Sequence, residues 1–280
     1  MDKEIKLLAT DLDGTLFYPK RRIKLIAKKN INYIDRFIKD GNQVVLVTGR
    51  SPRFARKVIE RLGHEVDVIG MNGAYTISGG EVMNEHFLDF SIETMLFDLN
   101  SLFPILGTML ISRKYPLLIA TPPVGKFFQL FYRFYYWSLG AYAEDYYFSN
   151  EEFLSEIKSN EVYKLMIFFG ISKRGVKMAS RANQYLRAHY KDQFEASWSG
   201  GFIEITPAGI SKANGIEKYR KIHGINAENV YVVGDSGNDI SMFQAYYERS
   251  FCMKHAHKKV RKYAKTIIQR FHHLERHIKR

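Results

Sequence analysis

Cysteine is almost missing from this sequence, because Cys252 is the only one in 280 residues. A lone thiol cannot pair within the chain, so a disulfide framework and zinc sites built from several cysteines are excluded. Long apolar runs are missing too, since the most apolar window, residues 102–120, is interrupted by Arg113 and Lys114. The N-terminus carries acids and only a short apolar run, unlike a secretory signal. We therefore expect a cytoplasmic protein.

Acidic residues are scarce near the end of the chain. From Lys254 to Arg280, here called the basic tail, there are ten Lys and Arg but a single acid, Glu275. The basic tail thus carries +9 of the chain's formal net charge of +13. Its apolar residues recur at helical spacing and predict a terminal helix packed on the core, with docking to nucleic acid or an anionic membrane as the alternative. They are Val260, Tyr263, Ala264, Ile267, Ile268, Phe271, Leu274 and Ile278.

The most informative stretch is residues 5–17, an apolar run of strand length that ends at Asp11 and Asp13. Ligands of open α/β sheets bind beyond the carboxyl ends of the strands, so both carboxylates are expected at an active site. An EF-hand loop is excluded, because its pattern requires a glycine where Leu16 stands and a glutamate where Arg22 stands. An ordinary acidic turn is the alternative interpretation. The other motifs of the chain decide between an active site and a turn.

A second apolar strand, residues 42–47, leads into Thr48-Gly49-Arg50. Helical spacing of apolar residues from Ile23 to Lys39 places a helix between the two strands and makes a βαβ unit. Ser51 and Pro52 have the character of the N-cap and first position of the next helix. A third strand, residues 66–70, then runs into a turn that contains Asn72.

The same pattern resumes late in the chain. Ser211 is a plausible N-cap for a helix that begins at Lys212. A further strand, residues 230–234, stops at Asp235, and Asp239 follows four residues later. That spacing can bring both carboxylates to the same side of an active site.

The alternation of strands and helices is interrupted after about residue 84. Eight aromatic side chains fall within residues 127–137, and a strand at 162–169 and a helix at 174–188 do not continue the first pattern. We predict an inserted second domain in which most aromatic rings form the domain's own core. A minority that faces the active site and stacks on a substrate is the alternative.

Three strand ends present Asp11 and Asp13, Thr48, and Asp235 and Asp239. Carboxylates without histidine or thiolate partners favour a hard cation such as Mg²⁺, which binds through one or two carboxylates and substrate phosphate. The Thr48 hydroxyl, backbone amides and the Lys212 ammonium suit phosphate oxygens. No Gly-x-x-x-x-Gly-Lys-[Ser/Thr] loop is present, so a P-loop NTPase is unsupported. The set predicts phosphoryl transfer with Mg²⁺ as the cofactor.

Four ordered motifs resemble those of the haloacid dehalogenase superfamily: Asp11-Leu-Asp13-Gly14-Thr15, Thr48-Gly49-Arg50, Lys212 and Gly234-Asp235-Ser236-Gly237-Asn238-Asp239. The insert between the second and third resembles the type IIB cap of the Cof-type sugar phosphatases. The resemblance implies an α/β fold. It has a Rossmann-like parallel-sheet core, residues 1–83 and 201–280, and an inserted α+β (type C2B) cap, residues 84–200, that sets substrate specificity.

The family's roles carry over by position. The resemblance implies that Asp11 is the nucleophile and forms an aspartyl-phosphate. It implies that Asp13 protonates the leaving alcohol and then deprotonates the attacking water. Thr48, Gly49 and Lys212 would bind the phosphoryl oxygens and stabilise charge in the transition state.

The resemblance also implies a ligand set for Mg²⁺. Asp11, the backbone carbonyl of Asp13 and Asp235 would hold the ion. Asp239 would ligate it or orient the ligands, with Asn238 in support.

One segment matches the family and another departs from it. Asn72 matches the family's Asn-Gly-Ala turn and would lie near the substrate. After the last motif, this chain has Met253-Lys254-His255-Ala256 where the group usually carries Met-Gly-Asn-Ala.

These observations predict a Mg²⁺-dependent phosphatase that acts on a small phosphorylated metabolite, either a sugar phosphate or a cofactor phosphate. We expect no partner protein. A phosphomutase of the phosphomannomutase type is the alternative enzyme. A non-catalytic protein that binds a metabolite or an anion with the same fold is the alternative from another class.

Overall fold

A computed structural model describes residues 4–19, 26–89, 91–121, 145–190 and 192–278, without the side chain of Ser199. The chain forms two compact units, one of Met1–Glu85 and Ser211–Arg280 and the other of His86–Ile210. The predicted aromatic cluster at residues 127–137 lies outside the described residues.

The strands in the described part of the chain are, in order, β1 (Leu7–Thr10), β2 (Gln43–Val47), β3 (Asp67–Gly70), β4 (Tyr75–Ser78), β5 (Glu81–Met83), β6 (Gly107–Ser112), β7 (Leu118–Ala120), β8 (Tyr147–Phe148), β9 (Val162–Phe168), β10 (Phe194–Ser199), β11 (Phe202–Pro207), β12 (Val230–Gly234), β13 (Ser250–Met253) and β14 (Thr266–Ile268).

The helices over the same residues are α1 (Lys28–Lys39), α2 (Pro52–Leu62), α3 (Ile92–Leu102), α4 (Asn150–Glu156), α5 (Lys173–His189), α6 (Lys212–Ile222), α7 (Ile240–Ala245) and α8 (Lys258–Arg261). None of them has the length and apolar character needed to cross a membrane. The start of α2 confirms its prediction, because the Ser51 hydroxyl accepts a hydrogen bond from the Phe54 N–H and Pro52 opens the helix. The helix predicted from Ile23 to Lys39 starts later than predicted, at Lys28, because Ala27 has an extended backbone and is the N-cap. Residues 20–25 lie outside the described ranges.

The first unit contains a sheet in the order β14-β13-β12-β1-β2-β3-β4-β5. The strands from β14 to β3 run parallel, and β4 and β5 are antiparallel additions. Every side chain of β1 is buried, which explains its continuous apolar run, because strands of a parallel sheet are covered on both faces. Since β12, β1 and β2 are parallel neighbours, their carboxyl ends lie side by side. The predicted α/β fold class is confirmed.

The second unit contains a sheet in the order β10-β11-β9-β6-β7-β8, in which only the pair β7 and β8 is parallel. Its core is a cluster of buried side chains from the sheet and from α3 and α5, among them Leu99, Leu165, Leu186 and Ile203. The strand predicted at 162–169 and the helix predicted at 174–188 are confirmed as β9 and α5.

The terminal helix predicted for the basic tail is wrong. The tail instead forms the short helix α8, the strand β14 beside β13, and a 3₁₀ turn at Phe271–Arg276. Most of the predicted apolar residues are nevertheless buried, although Tyr263 and Ile267 are exposed. Pairing with the open edge of β13 satisfies backbone groups that a helix would have left at that edge, so tertiary context overrides the helical spacing.

Candidate active site

The carboxyl edge of the parallel sheet collects the polar residues that follow its strands. Asp11 comes directly after β1, Thr48 after β2 and Asp235 after β12. Lys212 enters the same region from another direction, as the first residue of α6. The Ser211 hydroxyl caps that helix by accepting a hydrogen bond from the Asn214 N–H at 3.2 Å, which confirms the predicted N-cap.

Lys212 lies at the centre of the cluster and is fully buried. Its ammonium Nζ donates to Oδ1 of Asp11 and to Oδ1 of Asp239, each at 2.7 Å. Burial alone would lower the pKa of Lys212, but the charges of the two carboxylates outweigh it and raise the pKa. Lys212 is therefore a permanent positive charge between two acids.

The two carboxylate oxygens of Asp11 differ, because only Oδ1 accepts a hydrogen bond from Lys212. Its Oδ2 is buried and has no hydrogen-bond partner among the described residues. Burial raises the pKa of Asp11 well above its ordinary value; Lys212 opposes that shift and the nearby carboxylates add to it. A buried polar atom without a partner is costly unless it meets a ligand, so this oxygen fits a role in binding or chemistry.

Asp239 is held in one orientation by hydrogen bonds. Its Oδ2 accepts from the backbone N–H groups of Asp235 and Ser236, each at 2.8 Å, while its Oδ1 accepts from Lys212. The side chain is completely buried. Because it accepts from a buried ammonium and from two backbone N–H groups, Asp239 is better suited to orienting its neighbours than to binding an ion by itself.

Asp235 is packed against the turn that follows Asp11. Its Oδ1 accepts from the Thr15 hydroxyl at 3.4 Å, and burial raises its pKa. The Asp235 carboxylate lies directly over Gly14, where a Cβ would sit only 2.3 Å from Oδ2. Gly14 also has a φ of +82°, a left-handed conformation that favours glycine. The glycine of the first motif therefore makes room for the acid of the last one.

Three carboxylates are placed to hold a cation. Ligand atoms of Asp11, Asp235 and Asp239 lie within 4.8 Å of one another. All of these donors are carboxylate oxygens, the ligand type that Mg²⁺ prefers, and Asp11 has one oxygen without a hydrogen-bond partner among the described residues. The residues therefore fit a hard divalent cation. The side chain of Asp13 is not part of this cluster.

Asp13 is paired with a residue to which the sequence assigned no role. Arg50 donates from Nε to Oδ2 at 2.8 Å and from Nη2 to Oδ1 at 2.9 Å, a two-point contact that fixes the carboxylate. The guanidinium lies 4.6 Å from the centre of the Phe54 ring. A cation directly after Thr48-Gly49 was a visible signal, but its partner 37 residues away was not.

The remaining predicted residues form a polar rim. Thr48 is buried, and its hydroxyl accepts from the Arg50 N–H at 3.2 Å. Asn72 has a φ of 58°, and its Oδ1 accepts from the Asn238 side-chain amide at 3.1 Å. A Cβ at Gly49 would lie 3.3 Å from that same oxygen, so the two predicted substrate contacts approach closely.

His255 is a further residue of this edge that sequence reasoning did not assign. It follows β13, and its Nε2 lies 3.2 Å from Oδ2 of Asp235. Its ring stacks on Tyr18 with centroids 3.9 Å apart. The departure from Met-Gly-Asn-Ala at this position was the available signal.

Sequence comparisons relate the chain to hydrolases. A family model described as haloacid dehalogenase-like hydrolase matches residues 8–272. The 5-amino-6-(5-phospho-D-ribitylamino)uracil phosphatase YwtE of Bacillus subtilis (strain 168) is 26% identical over 261 residues, covering 86% of this chain and 85% of that protein. The pyridoxal phosphate phosphatase YbhA of Escherichia coli (strain K12) is 24% identical over 245 residues, covering 86% of this chain and 85% of that protein.

Structural comparison agrees on the fold. The solved structure of the HAD subclass IIB sugar phosphatase BT4131 superposes with a TM-score of 0.72 at 21% identity, covering 94% of this chain and 92% of that chain. At that identity the similarity concerns the fold alone.

Proposed function

This chain belongs to the haloacid dehalogenase-like hydrolase family, and we propose that it hydrolyses small phosphate esters with Mg²⁺ through an aspartyl-phosphate on Asp11. The predicted family and the predicted enzyme class, a phosphoric monoester hydrolase, are confirmed. The observation that carries the mechanism is the buried Asp11 carboxylate, with one oxygen on Lys212 and the other open.

The first half of the reaction joins Asp11 to phosphorus. An Asp11 oxygen would attack the phosphorus atom while the bond from phosphorus to the ester oxygen breaks. Asp13 would give a proton to the departing alcohol oxygen, and Arg50 would orient Asp13 for that transfer.

The second half releases phosphate. Asp13 would take a proton from water, the water oxygen would attack phosphorus, and the bond to Asp11 would break. Asp11 returns as a carboxylate and inorganic phosphate leaves. Both halves use the same two acids.

Charge neutralisation explains why Lys212 is central. A carboxylate and a phosphate oxygen about 4 Å apart repel by roughly 1 to 4 kcal/mol per charge pair, depending on the effective dielectric. Lys212 opposes that repulsion, and the Thr48 hydroxyl and Gly49 N–H would bind phosphoryl oxygens. Mg²⁺ held by Asp11 and Asp235, with Asp239 orienting, would supply further positive charge.

The substrate class rests on the relatives. YwtE is named as a phosphatase of 5-amino-6-(5-phospho-D-ribitylamino)uracil, and YbhA as a phosphatase of pyridoxal phosphate. We therefore place this chain's substrate among small phosphorylated metabolites, with cofactor phosphates and sugar phosphates as the first candidates. We further propose that the insert predicted at residues 84–200 selects among them.

The test is phosphate release from a panel of sugar, nucleotide and cofactor phosphates and one aryl phosphate, with and without Mg²⁺. We expect Mg²⁺-dependent turnover that falls by at least about 10³-fold in Asp11→Asn. Glu60→Gln, which removes an exposed carboxylate from the first unit, is the control and should leave turnover unchanged. Full activity of Asp11→Asn would contradict the mechanism. Absence of turnover on every substrate would favour the binding-protein alternative.

A further inference from the structure

His255 occupies the turn after β13 and contacts the proposed metal site from outside. We propose that His255 is a positioning residue, whose Nε2–H holds the Asp235 carboxylate in the orientation that binds the divalent cation. This inference rests on the proposed function, since it requires Asp235 to be a metal ligand.

The hydrogen bond has a defined direction. An ionised carboxylate can only accept, so the nitrogen 3.2 Å from Oδ2 of Asp235 must be the one that carries hydrogen. In the described part of the chain, the carboxylate has one other side-chain hydrogen bond, from Thr15 at the long distance of 3.4 Å. His255 is thus the closer of the two groups that set the orientation of this acid.

The imidazole is itself held in place. Its plane lies 17° from that of Tyr18, with centroids 3.9 Å apart, and the guanidinium of Arg270 lies 5.0 Å from the centre of the same Tyr18 ring. The turn is fixed at both sides, because the Lys254 N–H donates to the Ile268 carbonyl at 2.8 Å and the Ala256 N–H donates to the Met253 carbonyl at 3.0 Å. Because stacking and the hydrogen bonds of its turn hold the His255 ring in place, the ring can hold the Asp235 carboxylate in one orientation.

Orientation matters because a terminal carboxylate torsion is broad and weakly constrained by itself. To share an ion with Asp11, Asp235 must turn one carboxylate oxygen toward it. Gly14 leaves space for the Asp235 carboxylate but does not determine how the carboxylate is turned. Groups that hydrogen-bond a metal ligand from behind typically change metal affinity about 10- to 100-fold when they are removed. We expect the Asp235–His255 contact to lie at the lower end of that range, because both side chains are partly exposed.

The experiment titrates Mg²⁺ alone into the metal-stripped 280-residue chain by calorimetry. His255→Phe keeps a ring to stack on Tyr18 but removes the donor, and we expect the Kd to rise about 10-fold. His255→Gln restores an N–H donor without the ring, and its Kd should return to within about three-fold of the native value. Lys254→Ala removes a positive charge from the same turn and should change the Kd less than about two-fold.

Two outcomes separate this inference from the proposed function. If Asp235→Asn abolishes binding while His255→Phe binds like the native protein, the positioning role is overturned and the metal site stands. If Asp235→Asn also binds like the native protein, the metal site itself is overturned. Thermal unfolding of each variant identifies any that fails to fold, and if His255→Phe fails, His255→Ala takes its place with the same expected loss.

Discussion

Lys212 shows how one buried charge can organise a site. Its ammonium joins Asp11 from the end of β1 to Asp239 from the turn after β12, two acids that would otherwise repel each other. Burying three charged groups is costly, and their mutual attraction offsets that cost only while all three are present. The site is therefore sensitive to the loss of its central residue.

Replacement of Lys212 by methionine should lower the free energy of unfolding by about 3–5 kcal/mol, because two buried carboxylates would lose their partner. Urea denaturation measures the effect. Lys221→Met, on an exposed position of the same helix, is the matched control and should cost less than about 1 kcal/mol. Adding Asp239→Asn to Lys212→Met should recover part of the loss. An unchanged stability of Lys212→Met would contradict this account of the buried cluster.

Gly14 is required for two separable reasons, a left-handed φ and the Asp235 carboxylate above it. Gly14→Ala should lower stability by about 1–2 kcal/mol through the backbone and lower phosphatase activity by at least about 10²-fold by displacing Asp235. Gly41→Ala separates the two effects, because Gly41 has a φ of +81° and nothing lies within 4 Å of the position that a Cβ would take there. It should show the stability loss without the loss of activity. Equal activity in both variants would rule out the packing argument.

Among the secondary-structure elements, α6 links helix formation to the proposed active site. Its first residue is Lys212, and its N-cap is the neighbouring Ser211. Lys212 is therefore positioned by the end of a helix, where unpaired N–H groups make the backbone prone to fraying.

Ser211→Ala should destabilise the protein by about 1 kcal/mol, because the Asn214 N–H loses its acceptor. We also expect a several-fold fall in kcat, since the first turn carries Lys212. Chemical denaturation and steady-state kinetics measure the two effects. Ser211→Thr keeps a hydroxyl cap and should restore both. Failure of threonine to restore kcat would mean that the cap does not act through Lys212.

In the basic tail, the surrounding sheet decides the secondary structure in place of the helical spacing of the apolar residues. Its apolar residues are mostly buried, as a helix would have required, yet Thr266–Ile268 joins the sheet edge as β14. Phe271 and Leu274 are fully buried beyond that strand. The basic side chains remain on the surface in large part, so the tail contributes both to the core and to the positive charge of the chain.

For the molecule as a whole, the acid cluster predicts that a divalent cation stabilises the fold. Mg²⁺ at about 100 times its Kd should add about 2.7 kcal/mol and raise the Tm by roughly 5–10 °C. Thermal unfolding with Mg²⁺ or with a chelator measures the shift. Asp235→Asn should abolish it, and the exposed change Glu60→Gln should leave it intact. An identical Tm with Mg²⁺ and with chelator would argue against a metal site at this edge.

Local features of the sequence were enough for the fold class, the family and the strand ends that carry Asp11, Thr48 and Asp235. Each is a short apolar run followed at once by a polar residue, so the signal lies within a few positions. The caps at Ser51 and Ser211 are equally local, because a cap bonds an N–H three residues away. Such features depend little on the rest of the chain.

Contacts between distant residues required the folded chain. Arg50 meets Asp13 across 37 positions and His255 meets Asp235 across 20, and neither pairing follows from the spacing of either residue. The course of the basic tail also depended on the open edge of β13, which exists only once the sheet has formed. Sequence periodicity reports which residues prefer to be buried, whereas the choice of partner depends on long-range packing and on unpaired backbone groups.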